Sequence, residues 1–284
     1  MRLDNGRQSS NIEDRRRAGG PRLGGRGSLG LGAIVLALVA MYFGVDPSVV
    51  LDLASGGGPA VQETAGPPPA DDEQAQFVSK VLADTEDTWG EIFRASGGRY
   101  TDPRLVLYTG ATGTACGTGQ AAMGPFYCPG DARVYLDMSF FEEMQRRLNA
   151  PGDFARAYVI AHEIGHHVQN LLGTADKVNR MQQRSGQVQA NQLSVRMELQ
   201  ADCYAGIWAH HANRARQILE PGDVEEALNA ASAIGDDRLQ KEAQGYVVPD
   251  AFTHGTSAQR VRWFKRGLET GDPGKCDTFS AASL

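Results

Sequence analysis

Apolar positions in the C-terminal three quarters of the chain repeat mostly with a helical period. Between residues 74 and 95, apolar side chains recur every three or four positions, which predicts an amphipathic helix. Glycines 97 and 98 end it. The same spacing predicts further helices over 140–148, 153–172, 193–214 and 223–234, and from residue 257 onward.

Two short runs interrupt this helical pattern. Residues 105–108 (LVLY) and 133–136 (RVYL) are rich in aliphatic and aromatic side chains and are bounded by Pro, Gly and Asp, which is typical of strands. A Gly-rich stretch with two cysteines lies between them. The pattern therefore predicts an α+β fold that is mainly helical, with a small antiparallel sheet.

The N-terminal quarter contains an uncharged, mostly apolar run over residues 29–45. Its length is at the short end of the range for a membrane-spanning helix, and a cluster of arginines precedes it. A core helix and a cleaved signal peptide are the alternatives. The leader of nearly thirty residues is long for a signal peptide, and no clear cleavage site follows. We expect one transmembrane anchor, with the arginines in the cytoplasm.

Four segments follow from this interpretation. Residues 1–28 form a basic cytoplasmic segment, residues 29–45 the anchor, residues 46–72 a Pro/Gly-rich linker and residues 73–284 a single extracytoplasmic domain, periplasmic or extracellular. The 28 basic and 34 acidic residues give a net charge of −6, which excludes a broadly basic nucleic-acid binder. The predicted partners are thus the lipid bilayer and whatever the domain binds.

The four cysteines fit an exported domain. An even count outside the cytoplasm suggests two disulfides, and the sequence has no CxxC spacing for a zinc knuckle. Cys116 and Cys128 flank the Gly-rich loop, so we favour this pair, which leaves Cys203 with Cys276. The alternative is that Cys203 is a small buried apolar side chain on its helix.

The helix predicted over 153–172 contains the motif HEIGH. Residues four apart lie on one helical face, so His162 and His166 can bind a single ion. Glu163 is rotated by about 100° from His162, which places its carboxylate beside the ion, where it can act as a general base. Satisfied core or surface histidines are the alternative. Because the surrounding helix is apolar nearly all round, we favour one zinc ion.

A second motif, ELQAD, lies on the next long helix. A catalytic zinc site often has two histidines and one carboxylate, and Glu198 can supply the carboxylate. Asp202, one turn further, can accept a hydrogen bond from the far nitrogen of a zinc-binding histidine. An exposed helix charge is the ordinary alternative for a glutamate, but this helix is mostly apolar.

The other histidines have weaker signals. His254 precedes the last helix in a turn-like segment and can be a third ligand or a donor to a developing oxyanion, although helix capping also explains polar residues there. Arg260, which could assist His254, is expected in a surface ion pair. His167 is expected to be structural, and His210 and His211 lie too far along their helix to share the metal with Glu198.

The segments HEIGHH, ELQADCYAGIW, AAMGPFYCPGDARVYLDMSFF and THGTSAQRVRWF closely resemble a bacterial family of neutral zinc metallopeptidases, and the similarity covers nearly the whole chain. The resemblance implies a membrane-anchored, zincin-like metallopeptidase domain. It implies His162, His166 and Glu198 as zinc ligands, as in gluzincins, and Glu163 as the general base.

We therefore predict a zinc metalloendopeptidase that hydrolyses peptide or protein substrates. An extended substrate is expected to lie along an edge strand, for which residues 133–136 are the candidate. Two other functions use the same motifs: a catalytically silent zinc-binding scaffold of the cell envelope, and a zinc hydrolase that does not cleave peptides.

Overall fold

The computed structural model describes residues 1–4, 6–16 and 66–284. In this part of the chain, a four-stranded sheet has the order β1, β2, β6, β5. Strands β1, β2 and β6 run parallel, and β5 is antiparallel to β6 at one edge. A separate hairpin pairs β3 with β4. The strands are β1 Ile12–Asp14, β2 Arg104–Tyr108, β3 Ala111–Thr114, β4 Gly117–Gln120, β5 Phe126–Cys128 and β6 Arg133–Asp137.

Eight α-helices account for most of the described residues, in agreement with a mainly helical α+β fold. They pack with the sheet around a main core that contains Trp89, Leu105, Phe154 and Trp208, each at most 1% exposed, and a smaller apolar cluster lies on the other face of the sheet, with Val106 and Tyr135. The helices are α1 Glu73–Ala95, α2 Ser139–Arg146, α3 Asp153–Leu171, α4 Thr174–Gln182, α5 Gln187–Arg216, α6 Asp223–Ala233, α7 Asp236–Gln244 and α8 Ser257–Thr270.

The sheet differs from the prediction in two respects. The predicted antiparallel pairing holds for β5 with β6 and for the hairpin, but β1, β2 and β6 are parallel. The predicted edge strand was wrong: β6 lies between β2 and β5. The reason is that β5 has only three residues and lies inside the Gly-rich stretch, where its pattern is too short to distinguish from a loop.

Residues 1–4 and 6–16, predicted to belong to a separate segment, pack onto the domain instead. Ile12–Asp14 is a strand of the sheet, and Leu3 and Ile12 are each 8% exposed in the core. Two of the arginines that suggested a separate basic segment form ion pairs with the domain, Arg7 with Glu86 and Arg16 with Asp72. The α-amino group of Met1 contacts Asp153 at 2.7 Å.

The predicted anchor over 29–45 and all but the last residues of the predicted linker lie outside the described residues. Among the helices that the structure does describe, none combines the length and the apolar composition needed to cross a membrane.

The two disulfides join the pairs favoured from the sequence. Cys116–Cys128 connects the start of the β4 segment to the end of β5, and Cys203–Cys276 ties α5 to the C-terminal segment. Both therefore stabilise elements next to the predicted metal site.

Candidate metal centre

Helices α3 and α5 approach each other closely at a glycine inside the HEIGH motif. A Cβ atom built on Gly165 would lie 2.9 Å from the carbonyl oxygen of Ala201, which is too close for any other residue. The missing side chain lets the two backbones pack together. This contact brings the predicted ligands on α3 alongside those on α5.

The ligand atoms of His162, His166 and Glu198 all lie within 4.8 Å of one another, and we call these residues the three-donor site. The Nε2 atom of His162 is 3.1 Å from Glu198 Oε2, and that of His166 is 3.4 Å from Glu198 Oε1. Two imidazole nitrogens and one carboxylate match the ligands that catalytic zinc prefers. The residues present therefore fit the ion that the sequence predicts.

The electrostatics of the three-donor site favour the ionised form of Glu198 and the protonated forms of His162 and His166. Burial opposes the ionisation of Glu198, but the two histidines next to it hold the pKa of this carboxyl well below its usual range. Burial likewise opposes protonation of His162, yet Asp202 and Glu198 raise its pKa to about 10. A divalent cation would satisfy the same attraction in place of the protons.

The far nitrogen of His162 belongs to an ionic network. Its Nδ1 is 2.9 Å from Asp202 Oδ1, as predicted for a carboxylate that orients a ligand histidine. Asp202 also accepts hydrogen bonds from the Tyr158 hydroxyl at 2.5 Å and from Arg260 Nε at 2.8 Å. Asp202 is fully buried, and the Arg260 guanidinium lowers its pKa against the opposing effect of burial, to about 2.

Arg260 was predicted in a surface ion pair, and this prediction was wrong. Its side chain is 2% exposed and donates two hydrogen bonds to Asp202. Tyr158, one turn before His162, had no predicted role at the site. Together, Tyr158, Asp202 and Arg260 form what we call the ionic side of the site.

The far nitrogen of His166 has a neutral partner instead. Its Nδ1 is 2.9 Å from Gln169 Oε1, and the amide of Gln169 donates to Gln200 and to the Met197 carbonyl. Gln200 donates in turn to the Cys276 carbonyl. Gln169 and Gln200 form the amide side of the site. Sequence reasoning missed both, although Gln169 lies three residues after His166 and so on the same helical face.

Glu163 lies beside the three-donor site without being one of its ligands. It is 7% exposed and lines the same cleft as His162 and His166. Burial raises the pKa of the Glu163 carboxyl above its ordinary value. A raised pKa suits a group that must take up a proton and release it again near neutral pH.

His254 also lines this cleft but is not one of the three clustered donors. Its Nδ1 is 3.2 Å from Asp236 Oδ1, and this hydrogen bond raises the pKa of His254. Asp236 Oδ2 accepts hydrogen bonds from the backbone amides of Thr253, His254 and Gly255, so it fixes the whole turn. No sequence pattern connects Asp236 to His254, so this contact was not predicted.

The remaining histidines have structural roles, as expected. His167 is 1% exposed, lies 3.0 Å from the Tyr127 hydroxyl and donates to the Thr101 carbonyl, and burial lowers its pKa. His210 and His211 donate to the backbone carbonyls of Leu268 and Gly271. None of these three is among the clustered donors of the described residues.

The cleft has a volume of about 570 Å³, and the polar side chains that line it include those of His162, Glu163, His166, Glu198 and His254. Its wall includes Phe126 and Tyr127 of β5, so the antiparallel edge strand of the sheet borders it directly. The fold and the site together define an HExxH-type metal centre with an additional carboxylate in the cleft.

The chain belongs to the family described as "Putative neutral zinc metallopeptidase", whose profile matches residues 1–279. It is 54% identical to "Uncharacterized protein YpfJ" of Escherichia coli strain K12, over 98% of this chain and 99% of the relative. It is also 42% identical to "Uncharacterized protein Rv2575" of Mycobacterium tuberculosis strain H37Rv, over 86% of each. No solved structure matches the chain.

Proposed function

We propose that this protein is a zinc-dependent endopeptidase with one zinc ion held by His162, His166 and Glu198. The observation that carries the proposal is the position of Glu163, a buried carboxylate in the same cleft as the three-donor site and outside it. A site that only stabilised the fold would have no need for a buried carboxylate next to its ligands.

When bound, zinc supplies Lewis acidity, which polarises the scissile carbonyl and acidifies the attacking water. Glu163 accepts a proton from this water as the water oxygen bonds to the carbonyl carbon. It then donates the proton to the amine nitrogen as the peptide C–N bond breaks. The base is thereby regenerated, and the products are one carboxylate and one amine.

His254 is proposed to donate a hydrogen bond to the oxygen of the tetrahedral intermediate. Its Nδ1 is held by Asp236, so Nε2 is the nitrogen left to face substrate in the cleft. The Asp236 carboxylate favours the protonated imidazole, in which Nε2 carries a proton to donate. Asp236 is thus a positioning residue in this proposal.

The disulfides support a location outside the cytoplasm. All four cysteines of the chain are paired, and such pairs persist in oxidising compartments. We propose that the catalytic domain is periplasmic or extracellular.

The variant Glu163→Gln tests the mechanism, because it keeps the size of the side chain and removes its basicity. We expect zinc content equal to that of the wild type by elemental analysis, and hydrolysis of unfolded casein reduced by at least about 100-fold. Glu142→Gln on α2, an exposed glutamate outside the cleft, is the matched control and should retain activity.

The results of these assays distinguish the three candidate functions. Full activity in Glu163→Gln would contradict the role of the base. A zinc-loaded wild type that cleaves neither unfolded proteins nor peptides would favour the silent scaffold. Zinc-dependent hydrolysis of small esters without peptide cleavage would favour a hydrolase of another substrate class.

A further inference from the structure

Acidic side chains converge where the first turns of α3 and α6 meet. One carboxylate oxygen from each of Asp153, Asp223 and Glu226 lies within 4.8 Å of the other two. Asp153 and Asp223 are the first residues of their helices, and Glu226 accepts a hydrogen bond from the Phe154 amide. Glu220 lies beside them, since its amide donates to Asp223 at 2.8 Å. We call Asp153, Glu220, Asp223 and Glu226 the acidic pocket.

The α-amino group of Met1 lies in the acidic pocket and contacts three of its four carboxylates. It is 2.8 and 2.7 Å from the two oxygens of Asp153, 3.2 Å from Glu220 Oε2 and 3.4 Å from Asp223 Oδ1. In the described part of the chain, Asp153 and Asp223 form their ion pairs with this one group. Helix N-termini favour negative charge, but two of them carry only about one positive charge between them. The ammonium is therefore the main cation of the pocket.

The residues after Met1 hold the amine in this position. The Met1 side chain packs against the main core, the Arg2 amide donates to the Ile218 carbonyl at 2.8 Å, and Leu3 is a core residue. An acylated or extended Met1 would present an amide at the same place, with one hydrogen to donate and no charge. The carboxylates would then face each other without their cation.

We propose that the acidic pocket is a binding site for the free α-ammonium of Met1, and that residues 1–4 and 6–16 stay packed on the domain only while this amine is unmodified and unextended. Formylation or acetylation of Met1, or residues before it, would release the segment. Because α3 begins at Asp153 and carries two of the three zinc donors, the pocket connects the chemical state of the N-terminus to the helix of the metal site. The inference does not depend on peptidase activity.

The first test compares the full chain with a free Met1 amine and the same chain with N-formylmethionine, made by bacterial expression with a deformylase inhibitor and identified by intact mass. Formylation should raise the equilibrium constant of unfolding at neutral pH by at least about tenfold in urea denaturation, because it removes hydrogen bonds between charged groups. It should also make Arg2 and Arg7 accessible to trypsin. Equal stability and equal cleavage of the two forms would overturn the inference.

Asp153→Asn makes the test specific for the ion pair. In this variant the amine has lost its nearest carboxylate, so the effect of formylation on the unfolding constant should be at least about threefold smaller than in the wild type. Glu225→Gln is the matched control, since Glu225 is exposed in the first turn of α6 and lies outside the pocket, and it should show the full effect. An undiminished effect in Asp153→Asn would overturn the role of the charge.

The pH dependence separates charge from size. Burial opposes protonation of the Met1 amine, but the hydrogen bonds to Asp153 hold its pKa above the ordinary value. A group with a raised folded pKa stabilises the fold below its unfolded pKa and loses that contribution as pH rises through the folded pKa. The stability difference between the free and formylated chains should therefore be constant between about pH 6 and 7 and shrink above about pH 8. A difference that does not shrink would overturn the inference.

The other charged groups near the amine do not obscure this result. Asp153, Glu220 and Asp223 face it from α3 and from the start of α6, and Glu73 and Lys80 of α1 line the small cavity beside Met1. All of them are present in both forms of the chain, so their own titrations largely cancel in the difference.

The native protein gives a final test. Mass spectrometry of the folded protein isolated from its source should identify an unmodified amine on Met1. A formyl or acetyl group, or residues before Met1, in that folded protein would overturn the inference.

Discussion

His162 and His166 lie four residues apart on one helix, but their far nitrogens are held by different chemistry. On the ionic side, Asp202 accepts hydrogen bonds from His162, Tyr158 and Arg260. On the amide side, Gln169 contacts His166 through a neutral carbonyl oxygen. The ionic side gives His162 a partner that makes it more basic, whereas the amide side fixes the orientation of His166 with little change in charge.

The two sides also differ in how much stability the protein should lose when one of their residues is removed. The ionic side buries a guanidinium and a carboxylate that need each other, because either one alone would be an uncompensated charge in the core. The amide side consists of neutral groups, each of which makes hydrogen bonds of modest net strength. The comparison therefore predicts that damage to the ionic side costs more.

Asp202→Ala should have the largest effect. It leaves Arg260 buried without its counter-ion and removes the partners of His162 and Tyr158. We expect a loss of about 3–5 kcal/mol in the free energy of unfolding and a 10- to 100-fold loss in zinc affinity. Urea denaturation and competition with a zinc chelator measure the two quantities.

A double variant tests whether the unpaired charge is the cause. In Asp202→Leu with Arg260→Met, both charges are removed together, so the double variant should lose less stability than Asp202→Ala alone. If the double variant is the less stable of the two, the ion pair is not what makes Asp202→Ala costly.

The pH dependence of stability gives the second prediction. The pKa of Asp202 is about 2 in the folded protein, which is below its unfolded value. A carboxyl lowered in this way stabilises the fold above the unfolded pKa and loses that contribution as pH falls towards the folded pKa. The stability advantage of the wild type over Asp202→Asn should therefore be constant between about pH 4 and pH 6 and shrink as pH falls towards 2. Above that range it should fall again, because Asp202 also raises the pKa of His162 to about 10.

This experiment requires a chelator throughout, so that metal release at low pH does not contribute to the difference. Gln169→Ala measured in parallel should give a difference from wild type that does not vary over the same pH range. A wild-type advantage over Asp202→Asn that grew as pH fell from about 4 towards 2 would contradict the assigned direction of the Asp202 pKa.

Gln169→Ala should have the smallest effect. It removes the neutral hydrogen bond to His166 and the two that the Gln169 amide donates to Met197 and Gln200, and leaves Gln200 with its bond to the Cys276 carbonyl. We expect a loss of about 1–3 kcal/mol in stability and about tenfold in zinc affinity, at the low end of the range for such partners. A loss as large as that in Asp202→Ala would mean that the two sides are equivalent.

The same contrast explains which parts of the site the sequence could predict. Asp202 was identified because it lies one turn after Glu198 on a mostly apolar helix, where a buried carboxylate needs a polar partner such as a ligand histidine. Gln169 was not, since a neutral amide on a helix is compatible with almost any environment. Arg260 lies 58 residues after Asp202, and its burial depends on how α8 packs against α5. No local pattern contains that information.

Six of the eight described helices and the two disulfides were predictable, because they rest on local periodicity and on loops that two cysteines flank. The exceptions are α4 and α7, which have nine residues each and were not predicted. The sheet was only partly predictable. Its parallel pairings join β1, β2 and β6, which lie far apart in the chain, and β5 is three residues long. Residues 1–16 were misassigned since their arginines suggested a segment apart from the domain, whereas their partners are acidic residues of the domain itself.

The pairing of β1 with β2 limits which segments of the chain can lie on opposite sides of a membrane. The amide of Asp14 donates to the carbonyl of Gly66 at 2.7 Å, and β1 shares a sheet with β2. Asp14 and Gly66 are therefore adjacent in the fold. A bilayer crossed once between these positions would hold the two strands on opposite faces, where they could not pair. The pairing of β1 with β2 therefore requires these two strands to lie on the same side of any membrane. In the described residues, β1 is thus part of the same folded unit as residues 66–284, and Arg7 and Arg16 pair with acidic residues of that unit.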